Sequence, residues 1–163
     1  MPAHNAPLQE SWRENRDAPL TPPELSVSGT AVGHFSLDWQ APDGHKSLTG
    51  DGRLPTAEVS LPEELELRLS RKEKSLTLTL MVFSGTIATV DPLSEPVLTL
   101  DCLSPSADCT LSAIDDSLIV RVAEHALPEN GVISLFTEYY RGENVDTSTG
   151  FTNLASWAFG YRK

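Results

Sequence analysis

Hydrophobic and polar residues alternate most regularly in residues 64–83 of this chain. Leucine occupies every second position across 65–69, and apolar residues again occupy every second position across 76–82. Because successive side chains of a β-strand point to opposite faces, this alternation predicts two strands. A helix would instead need apolar residues at spacings of three and four. We interpret residues 64–83 as a β-hairpin whose charged tip, 71–74, is a solvated turn.

Further short apolar stretches are separated by turn signals rich in Pro, Gly, Asp and Asn. They predict strands over 25–39, 56–61, 85–90, 97–103, 109–114, 117–123, 132–140 and 151–161, with a turn-rich loop over 40–55. Asp115 and Asp116 are predicted to form the tight turn of a hairpin, with Leu118, Val120 and Val122 facing inward.

This pattern gives about nine or ten short strands and no long helix, which is typical of an all-β fold. We predict an antiparallel β-sandwich. A closed β-barrel is the alternative, because both architectures bury one face of every strand.

The first 24 residues differ in composition from the rest of the chain. They include five prolines and few large apolar residues, with Trp12 as the exception. Such a composition cannot bury enough apolar surface to order the chain. We therefore predict a flexible Pro-rich arm over 1–24 and a single all-β domain over 25–163. Trp12 is predicted either to anchor a partner or to fold back on the domain.

The formal net charge of −11 changes the range of plausible partners. It argues against nucleic-acid binding, which relies on neutralising phosphates. It favours a protein partner, a basic one included, and leaves homo-oligomers open. No apolar run is long enough to span a membrane, and the N-terminus lacks an apolar signal-type stretch. We therefore expect a cytoplasmic protein, or a secreted one if a signal peptide was removed.

The two cysteines, Cys102 and Cys109, bracket a six-residue segment. If this segment turns the chain back on itself, the two side chains can form a disulfide. Two reduced cysteines in a cytoplasmic protein are the alternative. Two ligands alone do not make a zinc site.

Aromatic residues collect near the C-terminus. Trp157, Phe159 and Tyr161 alternate and share one face of the last predicted strand. This stripe is either part of the core or a face that binds a ligand or partner, since aromatic residues and arginine favour interfaces. The candidate binding residues are Trp12, Tyr139, Tyr140, Arg141, Trp157, Phe159 and Tyr161.

No residue pattern indicates catalysis, a metal site or a cofactor. The histidines lack zinc-motif spacing, and no nucleophile-elbow motif is present. His34 and Asp38 share a strand face but lie too far apart for contact. We predict a non-enzymatic protein that binds another protein: an inhibitor, an immunity-type protein, an adaptor or an assembly component. The alternatives are a barrel that binds a small apolar ligand and an enzyme whose site forms only in the fold.

Overall fold

The computed structural model describes residues 17–50, 55–61, 64–91, 93–104, 106–143, 145, 147–148 and 150–163. The strands within them are β1 (Leu25–Val27), β2 (Thr30–Val32), β3 (Ser36–Ala41), β4 (Gly44–Leu48), β5 (Glu58–Ser60), β6 (Leu65–Leu69), β7 (Thr77–Phe83), β8 (Leu98–Asp101), β9 (Cys109–Ile114), β10 (Ser117–Val122), β11 (Asn130–Tyr140) and β12 (Thr152–Arg162). A short 3-10 helix, Glu124–Ala126, precedes β11.

The strands form two sheets packed face to face, which confirms the predicted β-sandwich. The smaller sheet has the order β2-β1-β6-β10-β9, and the larger has the order β4-β3-β12-β11-β7-β8. Neighbouring strands are antiparallel, except that β5 pairs with β12 in parallel. Both sheets end in edge strands, so the alternative of a closed barrel is wrong.

The core lies between the sheets and takes alternate side chains from each strand. β6 and β10 supply side chains from the smaller sheet, and β7, β11 and β12 supply side chains from the larger one. Their inward residues are buried almost completely, and Leu118, Val120 and Val122 face inward as predicted. Removing this much apolar surface from water is the main favourable contribution to folding.

The predicted hairpin over 64–83 is wrong in its pairing, although both of its arms are strands. β6 pairs with β1 and β10, whereas β7 pairs with β8 and β11 in the opposite sheet. The connection between them crosses from one sheet to the other, and the Leu76 amide donates to the Glu138 carbonyl at 2.7 Å. Alternation gives each strand an inward face but does not identify the sheet to which it belongs.

Other local predictions have mixed outcomes. The hairpin of β9 and β10 is confirmed, with Ser117 opposite Ile114 and Asp115 at a positive φ of 54°. A second tight hairpin joins β1 and β2 through Ser28 and Gly29, both at positive φ. The predicted loop 40–55 contains the strand β4, and the predicted strand 85–90 forms turns.

Residues 17–24, placed in the predicted arm, pack against the sandwich. The Ala18 amide donates to the Tyr140 carbonyl at 2.7 Å, and Trp39 Nε1 donates to the Pro19 carbonyl at 3.2 Å. Pro22 and Pro23 are buried. These contacts place the segment over the side of the sandwich where β3 and β1 lie. The prolines supply the apolar surface that is buried there. Residues 1–16 of the predicted arm, including Trp12, lie outside the described residues.

No helix in the described part of the chain has the length and apolar character needed to cross a bilayer.

Replacing a core leucine tests the shared core. Leu80, on β7, is 0% exposed, whereas Leu76, just before the same strand, is 52% exposed. We expect Leu80→Ala to lower the free energy of unfolding by about 2–5 kcal/mol, because it leaves a cavity between the sheets. Leu76→Ala is the matched control and should change it by less than about 1 kcal/mol. Urea denaturation measures both values, and equal losses would contradict this packing.

Candidate functional site

Four of the predicted binding residues belong to the core. Trp157, Phe159, Tyr161 and Tyr139 are all at most 1% exposed. The Tyr161 hydroxyl donates to the Pro128 carbonyl at 2.8 Å, and burial raises the pKa of Tyr161 to about 12. Burial likewise raises the pKa of Tyr139. These side chains cannot contact a partner without opening the sandwich, so they do not form the binding face considered from the sequence.

The other predicted residues are in different environments. Tyr140 is half-buried on the outer face of the larger sheet. Trp12 lies outside the described residues. Arg141 is buried, with its side chain only 2% exposed, at the end of β11.

Arg141 is the centre of a polar network. Its Nε donates to Asn153 Oδ1 at 3.0 Å, and its Nη1 donates to the Gly150 carbonyl at 3.0 Å. Its Nη2 lies 3.3 Å from Asp38 Oδ2. Asn153 also accepts from the Gln40 amide and donates to the Gln40 carbonyl. The buried guanidinium therefore ties β3, β12 and the 141–150 loop together.

Asp38 extends this network to the surface. Its Oδ1 lies 2.6 Å from His45 Nε2, and both side chains are about half exposed. His34 contacts the Pro23 carbonyl and the Trp157 ring.

A shallow cleft of about 120 Å³ borders the Arg141 network, lined mainly by residues 17–20, 40–42 and 141–142. Pockets that enclose a drug-sized ligand are usually about 300–1,000 Å³. This cleft is too small for such a ligand. No three or more His, Cys, Asp or Glu side chains of the described residues are placed to hold a metal ion.

The opposite side of the sandwich, where β8 and β9 end the two sheets, is incompletely closed. We call this the open side. One strand further in, the inward residues of β7 and β10 are at most 1% exposed. On the edge strands, the corresponding inward residues are partly exposed although they pack against the core. They are Leu98 and Leu100 on β8 and Leu111 and Ala113 on β9.

A disulfide between Cys102 and Cys109 closes one end of the open side, which confirms the oxidised form of this pair. The bond joins the end of β8 to the start of β9, with the two Cα atoms 5.4 Å apart. Stacked sheets are normally about 10 Å apart. The two edge strands therefore meet at the disulfide.

The stretch of the chain that contains β8 and β9 has carboxylates but no basic residue. Residues 75–120 contain no Lys, Arg or His. The acidic residues in this stretch are Asp91, Glu95, Asp101, Asp108, Asp115 and Asp116. Asp108 pairs with His125 at 3.2 Å, and the other five form no ion pair with a described residue. The lack of basic residues over 75–120 is visible in the sequence. It becomes a feature of one surface only because the fold brings β8 and β9 together.

Comparison of the chain with protein-family models, curated proteins and solved structures gives no match.

Loss of the buried guanidinium should destabilise the fold. We expect Arg141→Met to lower the free energy of unfolding by about 1–3 kcal/mol, because Asn153 Oδ1 and the Gly150 carbonyl each lose a hydrogen bond from the guanidinium. Arg162, whose side chain is 66% exposed beside Glu58, provides the control. Arg162→Met should cost no more than about 1 kcal/mol in the same urea denaturation. An Arg141 loss no larger than the control would contradict the structural role of the network.

Removing the disulfide should also lower stability. We expect the double variant Cys102→Ser, Cys109→Ser to lose about 2–3 kcal/mol of unfolding free energy, because the unfolded chain is no longer constrained by the short loop. Wild-type protein in reducing buffer should unfold at the same lower urea concentration as the double variant. A wild-type midpoint that does not respond to reductant would contradict a bond between these cysteines.

Proposed function

We propose that this protein works by binding another protein at the open side of its sandwich, and that it does so without catalysing a reaction. The observation that carries this proposal is the pair of edge strands β8 and β9, whose inward side chains are left partly exposed. Native sandwiches usually cover or charge their edges, because an unpaired edge is a template for association. Because the edge at β9 is neither charged nor covered by any described residue, we infer that a specific partner covers it.

The surrounding charges support a basic partner. The carboxylates near β8 and β9 have few cations in the chain itself to balance them, so a partner with lysines or arginines would gain their attraction. This agrees with the expectation from the net charge. An inhibitor, an immunity-type protein, an adaptor and an assembly component all remain consistent with such a surface.

The disulfide bears on the compartment. Disulfides persist in oxidising environments and are rare in the cytosol. The bond between Cys102 and Cys109 therefore supports the secreted alternative over the cytoplasmic expectation.

Site-specific cross-linking tests the proposal. A photo-reactive amino acid is placed at Ile114, on the open side, and in a second protein at Leu48, on the far side of the sandwich. The two positions are matched, because both are apolar edge residues, 47% and 40% exposed. We expect a discrete cross-linked product with a protein of the native source from position 114 and none from position 48.

Salt and purified components complete the test. The cross-linked protein is purified, and its affinity for the wild-type chain is measured by calorimetry at rising ionic strength. Screening should weaken the binding if carboxylates attract the partner. Products from position 48 alone, or from neither position, would contradict protein binding at the open side.

A further inference from the structure

We propose that the partner contributes an extended segment that pairs with β9 as an added strand, with alternate apolar side chains in the open side and lysines or arginines at its ends. This inference rests on the proposed function and specifies the chemistry of the partner. Addition of a strand to an exposed sheet edge is a recurring mode of peptide recognition, in which backbone hydrogen bonds give affinity and pockets for alternate side chains give specificity.

The hydrogen bonds of the smaller sheet fix which backbone groups of β9 point outward. The Ala123 amide donates to the Asp108 carbonyl at 2.9 Å, so this pair is hydrogen-bonded. Because bonded and non-bonded pairs alternate in an antiparallel ladder, Thr110, Ser112 and Ile114 also direct their backbone groups toward β10.

The intervening residues of β9 direct their amides and carbonyls away from the sheet. They are Leu111 and Ala113, together with Cys109 beside the disulfide. Among described residues, no backbone group pairs with this outer edge of β9. Leu111 and Ala113 are also the residues whose side chains face the core, so a strand added here would pair its backbone beside the partly exposed apolar residues.

The side chains of an added strand would meet apolar surface on one face only. Leu111 and Ala113 on β9 face the core and are partly exposed. Alternate residues of the added strand would cover them, and the remaining residues would face solvent beside Thr110. This geometry selects a segment with apolar residues at every second position.

The carboxylates near the two ends of β9 favour basic residues at the ends of the added segment. β9 itself carries no charged residue, but Asp108 precedes it and Asp115 and Asp116 follow it. Asp101 lies at the end of β8, near the disulfide. A strand running along β9 therefore has carboxylates near both of its ends, which complement lysines or arginines at the ends of the segment.

The other edge strands are less suited to this role. β4 has Lys46 at its centre, and a lysine on an edge is a common protection against strand addition. β2 is only three residues long. β8 has four residues and carries Asp101. β9 has six residues with no charge and no proline, which leaves the longest unprotected edge among the described strands.

Synthetic peptides and one pair of variants test the inference in the full-length chain. The probe is a fluorescent peptide with a core of about six residues, matching β9, in which valine alternates with threonine and lysines stand at both ends. Its twin has glutamate in place of lysine. A third peptide has the probe sequence but N-methyl groups on alternate residues of its core, which remove the amide donors that would face β9.

Ala113→Pro removes the outward amide of β9 without removing a bond to β10, and Ala113→Ser keeps that amide and is the matched control. We expect the lysine peptide to bind wild type and Ala113→Ser, and to lose at least about tenfold in affinity toward Ala113→Pro. The glutamate twin should bind at least about tenfold more weakly than the lysine peptide. The N-methylated peptide should lose binding, a result that does not depend on the folding of any variant.

Several outcomes would overturn the inference. Equal binding to Ala113→Pro and Ala113→Ser, or unchanged binding of the N-methylated peptide, would exclude strand pairing at β9. Equal binding of the lysine and glutamate peptides would exclude the basic partner. No binding of the lysine peptide below about 1 mM would also exclude this recognition mode. If the cross-link from Ile114 to a partner protein persists in any of these cases, the proposed function stands and only strand addition fails.

Two further outcomes would identify a different occupant. A dimer in sedimentation experiments that is lost in Ala113→Pro but not in Ala113→Ser would identify a second copy of this chain. A cross-link from Ile114 to residues 1–16 of the same chain would identify its own N-terminal segment. Either result would overturn a basic protein partner as the occupant.

Discussion

The fold depends on a single apolar layer that two separate sheets must share. Each sheet packs one face on this layer, and Ile119 is in addition buried on the outer face of β10. The connection from β6 to β7 makes this dependence explicit, because it carries the chain from the smaller sheet to the larger one. Leucines on both strands meet the same core from opposite sides. The pairing of each strand with its distant neighbours therefore requires the other sheet to be present.

The two sides of the sandwich are closed by different means. On one side, residues 17–24 lie over the strands with buried prolines, and the indole of Trp39 is hydrogen-bonded to Pro19. On the other side, the main connection between the sheets is the disulfide-bonded turn of residues 102–109 at one end. The covalent bond holds the two edges together where packing is thinner, and it leaves the apolar residues beyond it partly exposed. Because the open side is less completely covered than the other side, it is the side that we consider as a binding surface.

Charge is distributed with the same asymmetry. Arg141 is buried at the end of β11, where its hydrogen bonds to Asn153 and to the Gly150 carbonyl compensate for its loss of water. Of the carboxylates beside β8 and β9 in the described part of the chain, Asp108 pairs with His125, and Asp101 accepts hydrogen bonds from Leu103 and Ser104 but has no ion pair. The Arg141 guanidinium therefore serves the internal structure, whereas the carboxylates beside β8 and β9 lie at the surface.

The sequence by itself determined most of the strands and, for the most regular of them, the face that is buried. Alternation identified β6, β7 and β10 and their inward residues, and two aspartates in a short apolar stretch identified the turn between β9 and β10. These features are local, because side-chain direction in a strand follows from position along the chain. The strand β4 was not predicted, because all five of its residues are exposed and its sequence therefore has no alternating apolar face.

Only the tertiary structure decided which strands pair and what remains uncovered. The hairpin expected over 64–83 became a crossing between sheets, because alternation looks the same whether the next strand lies alongside or opposite. The aromatic stripe of β12 had two readings in the sequence, and burial between the sheets assigned it to the core. The open side has no sequence signature of its own, since it arises where the edges of two sheets meet. Exposure of an edge depends on contacts between residues far apart in the chain, and these contacts are fixed only when the whole core forms.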